Sequence, residues 1–310
     1  MAQCLSILIF HRVLHESDPL QPDLATARTF ESRMRWLDRF FRILPLGDSL
    51  VQLKEGRLPS RAVSITFDDG YADNVDIALP ILRRLGIPAT FFIATGFLNG
   101  GRMWNDTIIE TVRKNGARAI RRTYGDRATL PCETDAQRRA AIHQLLGDLK
   151  YLPEAERRSQ VEKFAQAVDT PLPGLMMTES QVRQLAAEGM EVGAHTISHP
   201  ILTWMGREEA RNEIFGSKQE LEGLLGQAVP LFAYPNGKPG RDFGEREVEI
   251  VREAGFQGAV STGWGAASAR TDFFRLPRFT PWDHSAVRFI GRLALMRQKG
   301  GSRLLPKDEA

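Results

Sequence analysis

The chain has 310 residues, of which 42% are hydrophobic and 25% charged, with a net charge of +3 and an isoelectric point near 9.0; this is the balance of a globular protein and excludes a disordered or fibrous one. The basic excess is mild and forms no dense Lys/Arg block, which argues against a nucleic-acid footprint. No run of about 20 apolar residues is present to span a bilayer.

The first apolar run, Leu5 to Phe10, is too short for a leader and is closed by His11 and Arg12. No basic segment precedes it and no small-residue cleavage site follows, so a cytoplasmic protein is expected. Cys4 and Cys132 have no ligand-like spacing and read as two reduced structural thiols.

In chain order, Ser6–Val13 reads as a buried strand. Phe30, Met34, Leu37 and Phe41 then recur at helical spacing, until Pro45 and Gly47 break the pattern. Ala62–Phe67 is a second strand and ends in the polar turn Asp68-Asp69-Gly70, after which a helix runs to Gly86. Ala89–Ile93 is a third strand. Further strands are expected at Met190–Ala194, Val229–Ala233, Gly258–Ser261 and near Arg275–Phe279, with helices between them. The helix at Gln181–Glu188 carries a capping box from Thr178 to Gln181. Strands alternating with helices predict parallel strands inside a helical coat, with the chemistry at the C-terminal strand ends.

The stretch from Asn99 to Leu175 breaks this rhythm. It is polar, rich in Arg and Gln, and patterned as helices at Ala136–Leu149 and Glu154–Ala167. It reads as a helical insertion, residues 99–175, within one domain of residues 1–310, expected beside the site.

Four short segments carry chemistry. Thr66-Phe67-Asp68-Asp69-Gly70-Tyr71 sets two carboxylates side by side at a strand end, where a bound cation would offset their repulsion. The glycine permits a sharp turn. His195-Thr196-Ile197-Ser198-His199-Pro200 sets two histidines four residues apart, expected on one face of a short helical turn so that both rings meet one ion. One carboxylate plus two imidazoles is a common set for a divalent metal, and the remaining aspartate could serve as a general base. Phe232-Ala233-Tyr234-Pro235-Asn236-Gly237 follows a strand and could aim a backbone N–H into the site, although alone it is an ordinary turn. His11, at the end of the first strand, could titrate near neutral pH and protonate a leaving amine; a structural histidine is the alternative.

Thr66-Phe67-Asp68-Asp69-Gly70 together with His195-Thr196-x-x-His199 resembles the first two motifs of the polysaccharide deacetylases, the NodB-homology group of carbohydrate esterase family 4. The likeness extends over Ser6–Gly101 and Met176–Phe279. It implies an α/β fold, a distorted (β/α) barrel. It also implies a divalent-metal site, with zinc expected first and cobalt or nickel as alternatives. Asp68 matches the family's catalytic base, and Asp69, His195 and His199 match its metal ligands. Asn236 takes the place of the residue, usually Tyr, whose backbone N–H helps bind the oxyanion.

Two departures stand out. The family often has an Arg in its third motif where this chain has Ala233, so the partner of the base must come from elsewhere, with Arg278 as the candidate. The C-terminal Leu-x-His motif is not evident. In this the chain resembles the subgroup that deacetylates biofilm and exopolysaccharide glucosamine polymers, in which the first strand supplies the general acid. Phe10-His11-Arg12 fits that position, with His284 as the competing candidate. The resemblance implies a hydrolase that removes N-acetyl groups from a glycan and releases acetate.

Aromatic side chains should line a sugar groove, and Trp264 and Trp104 are the candidates, with core packing as the alternative. Ala286–Lys299 is amphipathic, with Phe289, Leu293 and Met296 against Arg288, Arg292 and Arg297. It reads as a helix closing the barrel, with peripheral contact to a membrane as the second reading. Two rival functions remain: a hydrolase of a small or lipid-linked amide such as a formamido sugar, and a glycan-binding module without catalysis.

Overall fold

The computed structural model describes residues 3–124, 130–281 and 285–298. His284 and Lys299 lie outside them, as does the side chain of Arg297. The chain divides into two compact units. One comprises residues 1–15, 25–98 and 176–310; the other comprises residues 16–24 and 99–175.

The larger unit is a nearly closed barrel. Its wall is made of β1 (Cys4–Phe10), β2 (Ala62–Phe67), β3 (Thr90–Ile93), β4 (Glu191–Ala194), β5 (Leu231–Ala233), β6 (Gly258–Trp264) and β7 (Leu276–Arg278). They are hydrogen-bonded in that order, every pair parallel. Just past β7 the chain returns to β1: the Phe279 N–H donates to the Ile7 carbonyl at 2.7 Å, and the Phe279 carbonyl accepts from the Ile9 N–H at 3.0 Å. Two short strands make the sheet mixed. Arg42–Ile43 adds parallel to β2, and Ala267–Ser268 lies antiparallel to β1.

β1 and β2 are buried at every position, as expected of parallel strands with helices outside and a packed interior. Alternate residues of β1 face different cores. Leu8 and Phe10 pack with Phe30, Met34 and Leu37 of the helix Ala27–Phe40. Leu5 and Ile7 pack with Phe92, Leu231, Ala233, Val260 and Leu276, contributed by the other strands. Burying each large apolar side chain contributes about 1.5–3 kcal/mol. The expected strand Ser6–Val13 thus ends at Phe10, and Val13–Leu14 is a separate short strand.

The expected helix after Asp68-Asp69-Gly70 has two parts, a π-helical turn at Asn74–Ala78 and an α-helix at Leu79–Leu85 that ends on Gly86 in the left-handed region. The helix Glu179–Ala187 begins with the expected box, Thr178 and Gln181 capping each other. The helix Leu46–Lys54 has no cap of its own; Glu191, on β4, accepts the Leu46 N–H at 2.8 Å and the Gly47 N–H at 2.9 Å. Along the C-terminal helix Ala286–Gln298, Phe289, Leu293 and Met296 are buried in the barrel's outer core, while Val287 and Leu295 are exposed.

The second unit packs the helices Trp104–Tyr124, Asp135–Lys150 and Glu154–Gln166 around Ile108, Val112, Ile142, Leu145 and Phe164. Arg113 joins its two segments by pairing with Asp18 at 2.5 Å. Cys4 and Cys132 are both buried and form no disulfide among the described residues. Among the described residues no helix is long and apolar enough to cross a membrane.

Candidate metal centre and catalytic rim

The barrel residues singled out by sequence fall at the C-terminal ends of strands. His11 follows β1, Asp68 and Asp69 follow β2, and His195 follows β4. Asn236 lies in the loop after β5, Trp264 ends β6 and Arg278 ends β7.

Asp69, His195 and His199 converge. Each offers one ligand atom, and these atoms lie within 4.8 Å of one another. The Asp69 Oδ1 is 3.4 Å from His195 Nε2 and 3.5 Å from His199 Nε2. On the far side of its ring, His195 Nδ1 is 2.7 Å from the Ala233 carbonyl, which fixes the tautomer with Nδ1–H donating and leaves Nε2 as a lone-pair donor. One carboxylate oxygen and two imidazole nitrogens suit a borderline divalent ion and leave positions open for water and substrate.

The backbone is bent to bring them together. Asp69, Thr196 and His199 all have positive φ, at 78°, 64° and 55°, conformations that cost non-glycine residues roughly 1–3 kcal/mol and cluster at functional sites. Gly70 follows Asp69 at φ 89°, where a Cβ would come within 3.3 Å of Ile93. The expected helical turn at His195–His199 does not form. The segment is an irregular loop, because positive φ at Thr196 and His199 is incompatible with a right-handed turn. Glu213, on the helix Arg207–Leu225, holds it instead. Its carboxylate accepts the N–H groups of Ile197 and Ser198 and the Ser198 hydroxyl, each at 2.8 Å. On the other side, Gly96 donates to the Ile197 carbonyl at 2.9 Å; a Cβ there would lie 2.8 Å from that oxygen.

The adjacent carboxylates face different partners. Asp68 is 2% exposed and meets the guanidinium of Arg278, itself 1% exposed, through two parallel bonds of 2.6 Å. Arg278 also donates to the Ser261 carbonyl at 2.9 Å and to the Thr66 hydroxyl at 3.1 Å. The orienting partner of Asp68 therefore comes from β7 rather than from the position of Ala233 on β5.

Burial alone would raise both carboxyls. For Asp68 the charge and hydrogen bond of Arg278, together with the charges of His195 and His11, outweigh burial and hold the group below its ordinary range. For Asp69 the hydrogen bond from His195 and the charges of His11 and His199 do the same. Burial pushes His199 down to about 4, against the pull of Asp69. His195 is raised: burial works against its charged form, but the hydrogen bond with Asp69, the charges of Asp68 and Asp69 and the bond to the Ala233 carbonyl together prevail. At neutral pH the cluster thus offers a carboxylate and a neutral His199, and a cation would compete with the His195 proton.

His11 is exposed, yet its charge acts on Asp69, Asp68 and His199. Asn236 stands at φ 57° in a loop held to β6, its carbonyl accepting the Thr262 hydroxyl at 2.8 Å. Trp264 is half-buried at the rim end of β6, in register with Arg278 and packed on Phe279. Trp104 belongs to the second unit, where it packs on that unit's core with the Arg157 guanidinium over its ring. A cavity of about 700 Å³, lined by Leu50, Leu231, Phe256 and Phe273 among others, opens at the N-terminal ends of β5 and β6, and none of the metal-centre residues lines it.

Sequence reasoning missed Glu213, Ser261, Asp73 and Asn74. The last two hold the His11 turn, for Asn74 Nδ2 donates to the His11 carbonyl at 2.8 Å and Asp73 accepts the Val13 N–H at 3.1 Å. No local pattern marks Glu213, which acts across 16 residues of chain.

Comparison with known proteins bears on the family and the fold. A family model described as polysaccharide deacetylase matches residues 55–259. The chain is 23% identical over 276 residues to YxkH of Bacillus subtilis (strain 168), whose name assigns it provisionally to the polysaccharide deacetylases; the match covers 88% of this chain and 70% of that protein. A shorter match, 43% identical over 68 residues, is to the poly-beta-1,6-N-acetyl-D-glucosamine N-deacetylase of Staphylococcus aureus (strain N315), and covers 22% of this chain and 23% of that protein. The fold is similar to that of the Streptococcus pyogenes deacetylase PplD in complex with acetate, at TM-score 0.60 and 19% identity over 90% of this chain and 93% of that one. It is equally similar to IcaB from Ammonifex degensii, at TM-score 0.60 and 19% identity over 95% and 97%.

Proposed function

The chain belongs to the polysaccharide deacetylase family, and on that premise we propose that it is a metal-dependent hydrolase of N-acetylated amino sugars in a poly- or oligosaccharide, of the exopolysaccharide or cell-surface kind. The observation that carries the reading is the pairing, on one barrel rim, of the Asp69–His195–His199 cluster with the Asp68–Arg278 ion pair. The short match to a poly-N-acetylglucosamine deacetylase supports the substrate class.

Asp69, His195 and His199 hold the divalent ion, zinc first and cobalt or nickel as alternatives. When bound, it supplies Lewis acidity, acidifying water and polarising the acetamide carbonyl. Asp68 takes a proton from the attacking water, and Arg278 keeps that carboxylate ionised and fixed in orientation. The Asn236 N–H donates to the oxyanion of the tetrahedral intermediate. His11 gives its proton to the amide nitrogen as the C–N bond breaks. The net reaction is amide plus water to free amine plus acetic acid. Trp264, at the rim end of β6, stacks on a sugar ring.

The test is acetate release from N-acetylglucosamine oligomers, with and without a chelator and after adding back zinc, cobalt or nickel. Chelator-sensitive release is expected. No release with any metal, from protein that binds one tightly, would overturn the reading in favour of a formamide or other small amide substrate.

A further inference from the structure

The turn after β1 is gripped by buried polar side chains, one of them at a visible structural cost. Asn74 is fully buried. Its Nδ2 donates to the His11 carbonyl at 2.8 Å and to Asp73 Oδ1 at 3.1 Å, which fixes the amide's orientation. Its Oδ1 is then buried with no hydrogen-bond partner, and an unmade bond of this kind is penalised. An apolar side chain of the same size would avoid that penalty. Asn74 also opens the π-helical turn Asn74–Ala78, a local irregularity found often at functional sites.

Asp73 adds the second half of the grip. One oxygen accepts the Val13 N–H at 3.1 Å, and the other pairs with Arg12 Nε at 2.7 Å, with both side chains largely buried. The Arg12 guanidinium sits over the Tyr71 ring, 4.9 Å from its centroid. The His11 carbonyl and the two residues after it are thereby tied to the Asp69–Asn74 segment, whose first residue is a metal-cluster carboxylate. The His11 ring is left exposed on the rim.

We propose that Asn74 and Asp73 are positioning residues for His11: they clamp its own carbonyl and the two residues that follow it, so that the imidazole is registered against the metal centre by the same loop that carries Asp69. The proposal rests on the deacetylase reading, in which His11 protonates the leaving amine. Misplacing a reacting group by about 1 Å can cost about 100-fold in rate, so the clamp should appear in turnover and not in metal or substrate binding.

The test is a double-mutant cycle with Asn74→Leu and His11→Ala, measured on the metal-loaded full chain. Asn74→Leu is expected to lower kcat about 10- to 100-fold, with KM and metal content unchanged. In the His11→Ala background it should cause no further loss. An equal loss on top of His11→Ala, or a kcat within about twofold of native, overturns the proposal. Should Asn74→Leu fail to fold, Asp73→Asn enters the same cycle with the same expectations.

A second readout does not need turnover. In the cobalt-loaded protein the His11 ring protons are expected among the paramagnetically shifted NMR resonances. Asn74→Leu should move them and leave those of His195 and His199 in place. Unmoved His11 resonances overturn the clamp, even if no substrate is ever turned over; a native protein that releases no acetate overturns the deacetylase reading instead.

Discussion

Arg278, the last residue of β7, and Asp68, the first residue beyond β2, stand 210 positions apart in the chain and form a buried, two-pronged ion pair with both contacts at 2.6 Å. A charge pair taken this far out of water is costly unless its geometry is close to ideal and the remaining donors are satisfied. Here both conditions hold, since Arg278 also bonds Ser261 and Thr66.

Replacing Arg278 by Lys tests this pair. An ammonium is a point charge and cannot reproduce the planar fork. Burial works to raise the Asp68 carboxyl, and Arg278 is the largest of the groups that together outweigh it. With that hold weakened, the carboxyl protonates at a higher pH. A base must be ionised to act, so activity should disappear at a higher pH as the solution is acidified. The kcat–pH profile of Arg278→Lys is expected to show its acid limb displaced upward and a lower plateau. An acid limb at the native position would separate Arg278 from the base.

Asp68→Asn removes the base while leaving the metal cluster, to which Asp68 contributes no atom. Turnover is expected to fall by about 10²–10⁴-fold, the range for a general acid–base group, at unchanged metal stoichiometry by elemental analysis. Normal turnover, or loss of the metal, would contradict the assignment.

Glu213→Ala addresses the histidine loop. Its carboxylate anchors two backbone N–H groups and one hydroxyl between His195 and His199. Groups that orient metal ligands from behind typically account for 10- to 100-fold in affinity, and a weakening of about that size is expected by calorimetric titration. Native circular dichroism would show that the helix Arg207–Leu225 survives. Undiminished affinity would mean that Thr196 and Gly96 suffice to shape the loop.

Glu191 bears on stability. Burial raises its carboxyl above the ordinary value of 4.5, against the opposing hydrogen bonds from Thr90, Gly47 and Leu46. A raised carboxyl holds its proton more tightly folded than unfolded. The stability it contributes is present below the unfolded pKa and is lost as pH rises through the folded one. The Tm advantage of the native protein over Glu191→Gln is therefore expected to be larger at pH 4 than at pH 7. A difference in Tm that does not change between the two would show that the carboxyl is not raised.

The strands were legible because β1 and β2 are largely apolar runs, and a parallel strand buried on both faces leaves that trace locally. Asp68-Asp69-Gly70 and His195-x-x-x-His199 were legible for a similar reason: the chemistry needs those residue types within a few positions of one another. The helical turn expected at His195–His199 failed because spacing alone does not reveal that Thr196 and His199 take positive φ. That conformation is held by Glu213 and Gly96, one from each side of the loop.

The amino-acid sequence by itself determined that this is a parallel α/β chain with two aspartates and two histidines at strand ends, since apolar periodicity and short motifs are properties of neighbouring residues. It could offer Arg278 as the partner of Asp68 only as a candidate, prompted by the family resemblance and the Ala233 departure from it. The ion pair itself, the grip of Asn74 on the His11 turn and the capping of a helix by Glu191 are decided by closure of the barrel, which brings β7 back against β1 and sets side by side groups that no local pattern connects.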